Sequence, residues 1–414
     1  MSSPRGSRGL WSSFVGEYWE KQATLLAGEQ ASPLPAIEPC ELFRATVACT
    51  DAFCRGREQK VRLYVDGAEI DILGGAHQAF LPKYEDQSFD EYNRRMVVRH
   101  GFQDYALIVA DWHQFDRALW ERIVVSLEGL AECVGISRSR MDTQVFLGTY
   151  KVTPFGVHSD PTGAFHFPVI GTKTMRFWRD SFVANTPELA RIRQYERFLQ
   201  ESWAVKAKPG EAIYWPSDLW HVGESDGAFS VTWGFGYWIG NSLRRLAAAK
   251  SIKIFEEIGP KTANIAPNGV ADAARTLVPV DELLQDLFRN VSSEAFRLSV
   301  ARSWLEHYSA YGFLKVPSLL DVVPVEEGGI VRKKPAFRIL ASRTGPNAIC
   351  IASAGHSCIL PPGAEVYAVI DRLNQGTPVP LEELYRSCGE RVAINQVIDF
   401  CLRSGAVVLE NIQA

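Results

Sequence analysis

The sequence predicts an α+β chain, with a β-sandwich or barrel first, helices next and a small winged-helix-like module last. Three observations carry this. Short aromatic and β-branched runs, punctuated by Gly and Pro, follow one another closely between residues 143 and 238. The pattern turns helical after Gly240. Beyond residue 331, strand candidates, helices and a closing strand come in the order of a winged helix. With 414 residues, 46% apolar and 22% charged, the chain has room for more than one domain. The divisions read as 1–240, 241–330 and 331–414.

Taken in order, residues 10–30 read as helical, with Phe14, Tyr18 and Trp19 among charged neighbours. Residues 60–72 alternate around Asp66-Gly67, a pair that tolerates positive φ, and predict a hairpin. Leu119, Ile123, Val124, Leu127 and Leu130 give residues 114–134 a helical rhythm. Strands are predicted at 143–152, 163–170, 173–179, 203–207, 211–215 and 229–238, with a helix at 184–200 interrupting them. Helices at 242–258 and 280–311 flank a loop at 259–279, and 325–335 reads as a linker. Strands at 336–342, 348–353 and 357–360 follow, then helices at 363–374, 380–387 and 391–404. Gly405 sits where a helix C-terminus favours a left-handed residue, before the strand Ala406-Val407-Val408-Leu409.

Composition narrows the function classes. A net charge of -4 and a pI near 6.1 give no global attraction to nucleic acid or anionic lipid. No apolar run is long enough to span a bilayer, and Met1–Gly6 lacks the apolar core of a secretion signal. The cysteines form no CxxC pair and no zinc-like spacing, which predicts reduced thiols and a cytoplasmic protein.

The chemistry concentrates in His158-Ser159-Asp160 and His221. Alternate residues of a strand point the same way, so His158 and Asp160 converge while Ser159 turns away. Two imidazoles and one carboxylate are the ligand set of a non-haem Fe(II) oxygenase, capping one face of the metal. Lys173, on the strand after Gly171-Thr172, supplies a cation for the distal carboxylate of a dicarboxylate cosubstrate. His77, His100, His113, His307 and His356 read as surface or packed imidazoles, and the tryptophans of 215–238 as barrel core.

These residues, with the Lys208–Pro216 turn and the opening Phe14–Lys21 stretch, resemble the JmjC-domain 2-oxoglutarate oxygenases, most of all the ribosomal-oxygenase branch. The resemblance implies a double-stranded β-helix (cupin/JmjC jelly roll), a helical dimerisation segment and a C-terminal winged-helix domain. It implies Fe(II) on His158, Asp160 and His221, and the 2-oxoglutarate C5 carboxylate on Lys173. Thr149 stands where relatives place a small polar residue beside the cosubstrate, with Lys151 or Thr153 as alternatives. Thr232 matches a polar position facing the same pocket. His166 departs from the pattern, since its place is often aromatic. It is a cosubstrate contact, a substrate contact or a spectator.

The activity implied is hydroxylation of a residue in a protein or peptide, either a ribosomal protein or a natural-product precursor. Hydroxylation of a free amino acid or small metabolite is one alternative. A non-catalytic metal-binding regulator that works through the winged helix is another. The implied assembly is a homodimer through residues 242–320. In the last module only Arg332-Lys333-Lys334 is locally basic, and Glu382, Glu383 and Glu390 lie on or near the helices. That balance favours a structural or peptide-docking role over duplex DNA.

Overall fold

An eight-stranded and a three-stranded antiparallel sheet dominate the first half of this computed structural model, which describes residues 4–73, 75–239, 293–321 and 328–411. The chain divides into two compact units, 1–240 with 311–317, and 241–310 with 318–414.

In the first unit the strands are β1 (Thr24–Leu26), β2 (Val61–Val65), β3 (Ala68–Ile70), β4 (Tyr105–Ala110), β5 (Met141–Gly148) and β6 (Thr162–Ile170). They continue with β7 (Lys173–Trp178), β8 (Ser202–Ala207), β9 (Ala212–Trp215), β10 (Trp220–Glu224) and β11 (Ser230–Trp238). The large sheet runs β1-β9-β6-β11-β5-β4-β2-β3 and the small one β10-β7-β8. The alternation of β11 explains its central place. Val231, Trp233 and Phe235 go to one side, where Trp233 stacks on Phe167 at 4.2 Å. Thr232, Gly234 and Gly236 go to the other. Across the sheet Gly234 is flanked by His166 and Gln144, and Gly236 by Ala164 and Asp142.

The Asp66-Gly67 hairpin forms as predicted, with both residues at positive φ (49° and 79°). The helix Arg117–Val134 buries the five apolar residues that predicted it, and the Asp116 side chain caps it by accepting from the Leu119 N–H at 3.0 Å.

Elsewhere the structure differs. The first helix ends at Glu17, and a short strand, β1, follows where the helix was predicted to continue. No helix spans 184–200. Asp180–Ala184 is a short helix, and 3-10 turns follow at Pro187–Leu189 and Glu196–Glu201. Between those turns the main chain pairs with Val157 instead of with itself (Arg191 N–H to Val157 O 2.7 Å, Val157 N–H to Ile192 O 2.9 Å). The helix Pro39–Cys54 and strand β4 have no counterpart in the predicted elements.

In the second unit β12 (Gly329–Lys333) lies between β16 (Val379–Pro380) and β17 (Val407–Asn411). A second sheet joins β13 (Leu340–Gly345), β14 (Ala348–Ser353) and β15 (His356–Leu360). The described part of the predicted 325–335 linker is therefore mostly strand, because Val331 is buried in the core of this unit. Helices Ala364–Asn374, Leu381–Cys388 and Arg391–Ser404 fall where predicted, and Gly405 closes the last at φ 77°. The predicted elements at 242–258 and 259–279 lie outside the described residues; of 280–311, the helix Glu294–Ser309 is described. No helix among the described residues is long and apolar enough to cross a membrane.

Candidate metal centre

His158 and His221 meet through their backbones. His158 N–H donates to His221 O at 2.9 Å and His221 N–H to His158 O at 2.7 Å, an isolated antiparallel bridge. The regular strand predicted to carry both His158 and Asp160 is absent; only His221 lies on a continuous strand, β10. The bridge replaces it, and Asp160 follows on an extended loop. One ligand atom from each of His158, Asp160 and His221 lies within 4.8 Å of the others. The His158 Nε2 to Asp160 Oδ2 distance is 3.4 Å.

The imidazoles are oriented for a metal. His158 Nδ1 lies 2.9 Å from Gly156 O, and His221 Nδ1 lies 2.8 Å from Leu219 O. A carbonyl only accepts, so each Nδ1 carries the proton and each Nε2 keeps its lone pair for an ion. Burial, reinforced by the His158 imidazole, pushes His221 down to about 3, so it stays neutral at physiological pH. At Asp160 burial acts upward, but the neighbouring His158, His221 and Arg191 side chains outweigh it and hold the carboxyl below its ordinary value. Two imidazoles and one carboxylate fit a divalent transition metal with coordination positions to spare.

The three side chains open into a cavity of about 100 Å³. Lys173 reaches its inner end from β7, fully buried, with Nζ 3.1 Å from the Tyr150 hydroxyl and 5.8 Å from the Phe146 ring centroid. Gly223 makes room for it, since a Cβ there would come 2.6 Å from Nζ. Among the described residues no carboxylate pairs with Lys173. His166 lines the same cavity between Phe146 and Trp215 (ring centroids 5.1 and 4.7 Å). Burial first, then Lys173 and His221, hold it well below its ordinary pKa, and its buried Nδ1 has no hydrogen-bond partner. Thr232, buried on β11, likewise has a hydroxyl without a partner among the described residues, but it does not line the cavity.

Thr149 is a correction. Its hydroxyl donates to Gln103 O at 2.9 Å, and it does not line the cavity. β5 ends at Gly148, and the Thr149 N–H is drawn to Tyr105 O. Of the two alternatives to it, Thr153 lines the cavity and Lys151 does not. Sequence reasoning missed Tyr150, whose hydroxyl partners Lys173. It also missed the outer end of the cavity, where Asp142 Oδ2 accepts from Trp238 Nε1 at 2.9 Å beside Arg140 at 3.3 Å. The alternation Asp142, Gln144, Phe146 was the available signal, readable once the strand's inward parity is known.

By sequence, no family model and no curated protein matches this chain. By structure, 97% of it aligns with 98% of YcfD, a ribosomal oxygenase from Escherichia coli, solved with cobalt and succinic acid, at TM-score 0.51 and 14% identity. The same protein with cobalt and 2-oxoglutarate aligns at TM-score 0.50, 14% identity and the same coverage. This chain shares its fold with that protein. At this identity the likeness covers architecture, and the chemistry rests on the residues described above.

Proposed function

We propose that this protein is an Fe(II)- and 2-oxoglutarate-dependent hydroxylase acting on a residue within a protein or peptide. One observation carries the reading. A His-Asp-His ligand set and a fully buried ammonium, whose one hydrogen-bond partner among the described residues is the Tyr150 hydroxyl, open into the same cavity. An ammonium out of water needs an anion or a full set of acceptors, because its desolvation costs several kcal/mol. A dicarboxylate that reaches from the metal to Lys173 meets that need.

In this reading His158, Asp160 and His221 hold the metal, and Lys173 with Tyr150 fixes the distal carboxylate. The neutral His166 offers a further hydrogen bond along the cavity. When bound, the Fe(II)–2-oxoglutarate pair supplies the oxidising chemistry. The protein's share is orientation and exclusion of water, to which Phe146, Trp215 and Trp238 contribute apolar walls. A peptide or protein substrate is supported by the fold shared with a ribosomal oxygenase. We further read the two sheets as a double-stranded β-helix, residues 331–414 as a winged-helix-like domain, and the chain as a cytoplasmic homodimer through residues 242–320.

The test is anaerobic reconstitution with Fe(II), followed by 2-oxoglutarate turnover and a peptide screen read as the mass gain of one oxygen atom. Asp160→Ala should abolish turnover with the far-UV circular dichroism unchanged. Full activity in that variant would remove the metal assignment.

A further inference from the structure

Asp160 is the least supported of the three ligands: half of its side chain is exposed and it belongs to no strand. Its main-chain carbonyl is held twice, by the Thr162 N–H and by the Asp218 N–H, each at 2.7 Å. Asp218 sits in the left-handed region (φ 60°) in the tight connection between β9 and β10. The next residue, Leu219, supplies the carbonyl that orients His221 through Nδ1. Residues 216–219 therefore govern two of the three ligands.

That connection is anchored by a residue distant in sequence. The Glu20 carboxylate accepts from the Ser217 N–H (3.2 Å to Oε1, 3.3 Å to Oε2) and from the Ser217 hydroxyl. The buried Tyr214 hydroxyl donates to Glu20 Oε1 at 3.2 Å and accepts from the Glu20 N–H at 2.8 Å. Placing the carboxylate there requires two concessions from the chain. Glu20 adopts φ 52°, unfavourable for a residue with a Cβ. Residue 163 is glycine, where a Cβ would come 2.8 Å from Glu20 Oε1. Three donors converge on an acceptor-only group, so the charge state matters as well as the shape. A glutamine at this position would turn its own NH2 toward donors.

We infer that Glu20 is a positioning residue for the metal centre, fixing the 216–219 connection that aims Asp160 and His221. The inference rests on the metal reading above and goes beyond it. Its role lies outside the ligand shell, where loss of such a partner weakens metal affinity by about 10–100-fold.

The experiment is Co(II) titration of the full chain, followed by the visible d–d absorption, with thermal denaturation of the metal-free protein alongside. Glu20→Gln should weaken Co(II) binding at least about tenfold and alter the absorption bands. Ser217→Ala, which deletes one donor and keeps the carboxylate, should weaken it less but in the same direction. This second variant decides the matter if Glu20→Gln does not fold. A variant that melts earlier yet binds Co(II) as the wild type does would reduce Glu20 to a stability role and overturn the inference. Wild-type protein that takes up no Co(II) would overturn the metal reading and this inference with it.

Discussion

Lys173 in the first unit and Lys333 in the second are both buried, and they differ in how their protons are met. Lys333 Nζ donates to the main-chain oxygens of Lys334 (3.1 Å), Pro335 (3.4 Å) and Phe337 (2.9 Å), closing the corner after β12. Lys173 Nζ has the Tyr150 hydroxyl. A buried ammonium surrounded by carbonyls is a finished structural element. One whose hydrogen-bond partner among the described residues is a hydroxyl, facing the cavity of the proposed metal site, is in that reading a binding element whose remaining acceptors come from a ligand. Burial alone does not tell the two apart; the count of acceptors does.

The sharpest way to break the comparison is to remove each ammonium in turn. Lys173→Met should raise the 2-oxoglutarate KM on the order of 100-fold, since a charge-assisted contact in a dry site contributes about 3 kcal/mol. The melting temperature of the ligand-free protein should not fall, because a costly buried charge has been replaced by a side chain of similar length. Steady-state kinetics and thermal denaturation together check this. A large loss of stability with KM unchanged would make Lys173 structural after all.

Lys333→Met should do the reverse. Three carbonyls lose their donor at once, which costs about 2 kcal/mol of stability, seen as a lower urea midpoint for the second unit. Turnover by the first unit should be unaffected. A KM effect here would mean that the acceptor count is a poor guide.

Asp142 is a buried charge whose sign of effect depends on pH. Burial pushes its carboxyl from 3.8 up to about 6, against the pull of Arg140. The folded state thus binds this proton more tightly than the unfolded state. The stability tied to it is present in full below about pH 4 and is lost as pH rises through 6. Asp142→Asn should therefore match the wild type below pH 4. Above pH 6 it should gain on the wild type by up to about 3 kcal/mol, the free energy of holding the proton that much more tightly in the folded state. Paired melting curves between pH 4 and 8 test the sign. A mutant that loses ground as pH rises would show the carboxylate to be a net stabiliser.

Much of this was legible in the sequence because it is local. His158 and Asp160 stand two apart, the Asp66-Gly67 turn needs only its own two residues, and Gly405 closes a helix whose rhythm is visible in one window. The elements that went astray depend on distant partners. Residues 184–200 carry helical composition, but the main chain of Arg191 and Ile192 is committed to Val157. Thr149 is turned away by Tyr105 on β4 and by Gln103 just before it. Tyr150, Asp142 and Glu20 bear ordinary side chains in ordinary contexts. They acquire a role from Lys173, Trp238 and Ser217, and no local spacing encodes those pairings.

The smallest expected effect concerns nucleic acid, and it sharpens the contrast from the second unit's side. If residues 331–414 are the winged-helix-like domain proposed above, gripping duplex DNA needs a basic face, because neutralising phosphates supplies most of the affinity. Here several of the cations are paired inside the module. Arg332 forks onto Glu410 (2.8 and 3.0 Å), Arg372 bonds Glu383 at 3.0 Å, and Arg391 lies 3.7 Å from Glu382. Such exposed pairs add little to stability, yet each cancels a charge that a phosphate would need. Lys333, from the locally basic Arg332-Lys333-Lys334 run, is committed to main-chain carbonyls. Fluorescence anisotropy with labelled duplex at about 0.1 M salt should show no saturable submicromolar binding by the full chain. Glu410→Gln, which uncovers Arg332, should change that by less than about threefold, since one freed cation releases one counterion. Tight, strongly salt-dependent binding by the wild type would mean that these pairs open on contact with phosphate, and the second unit would then hold its charges in reserve as the first unit does with Lys173.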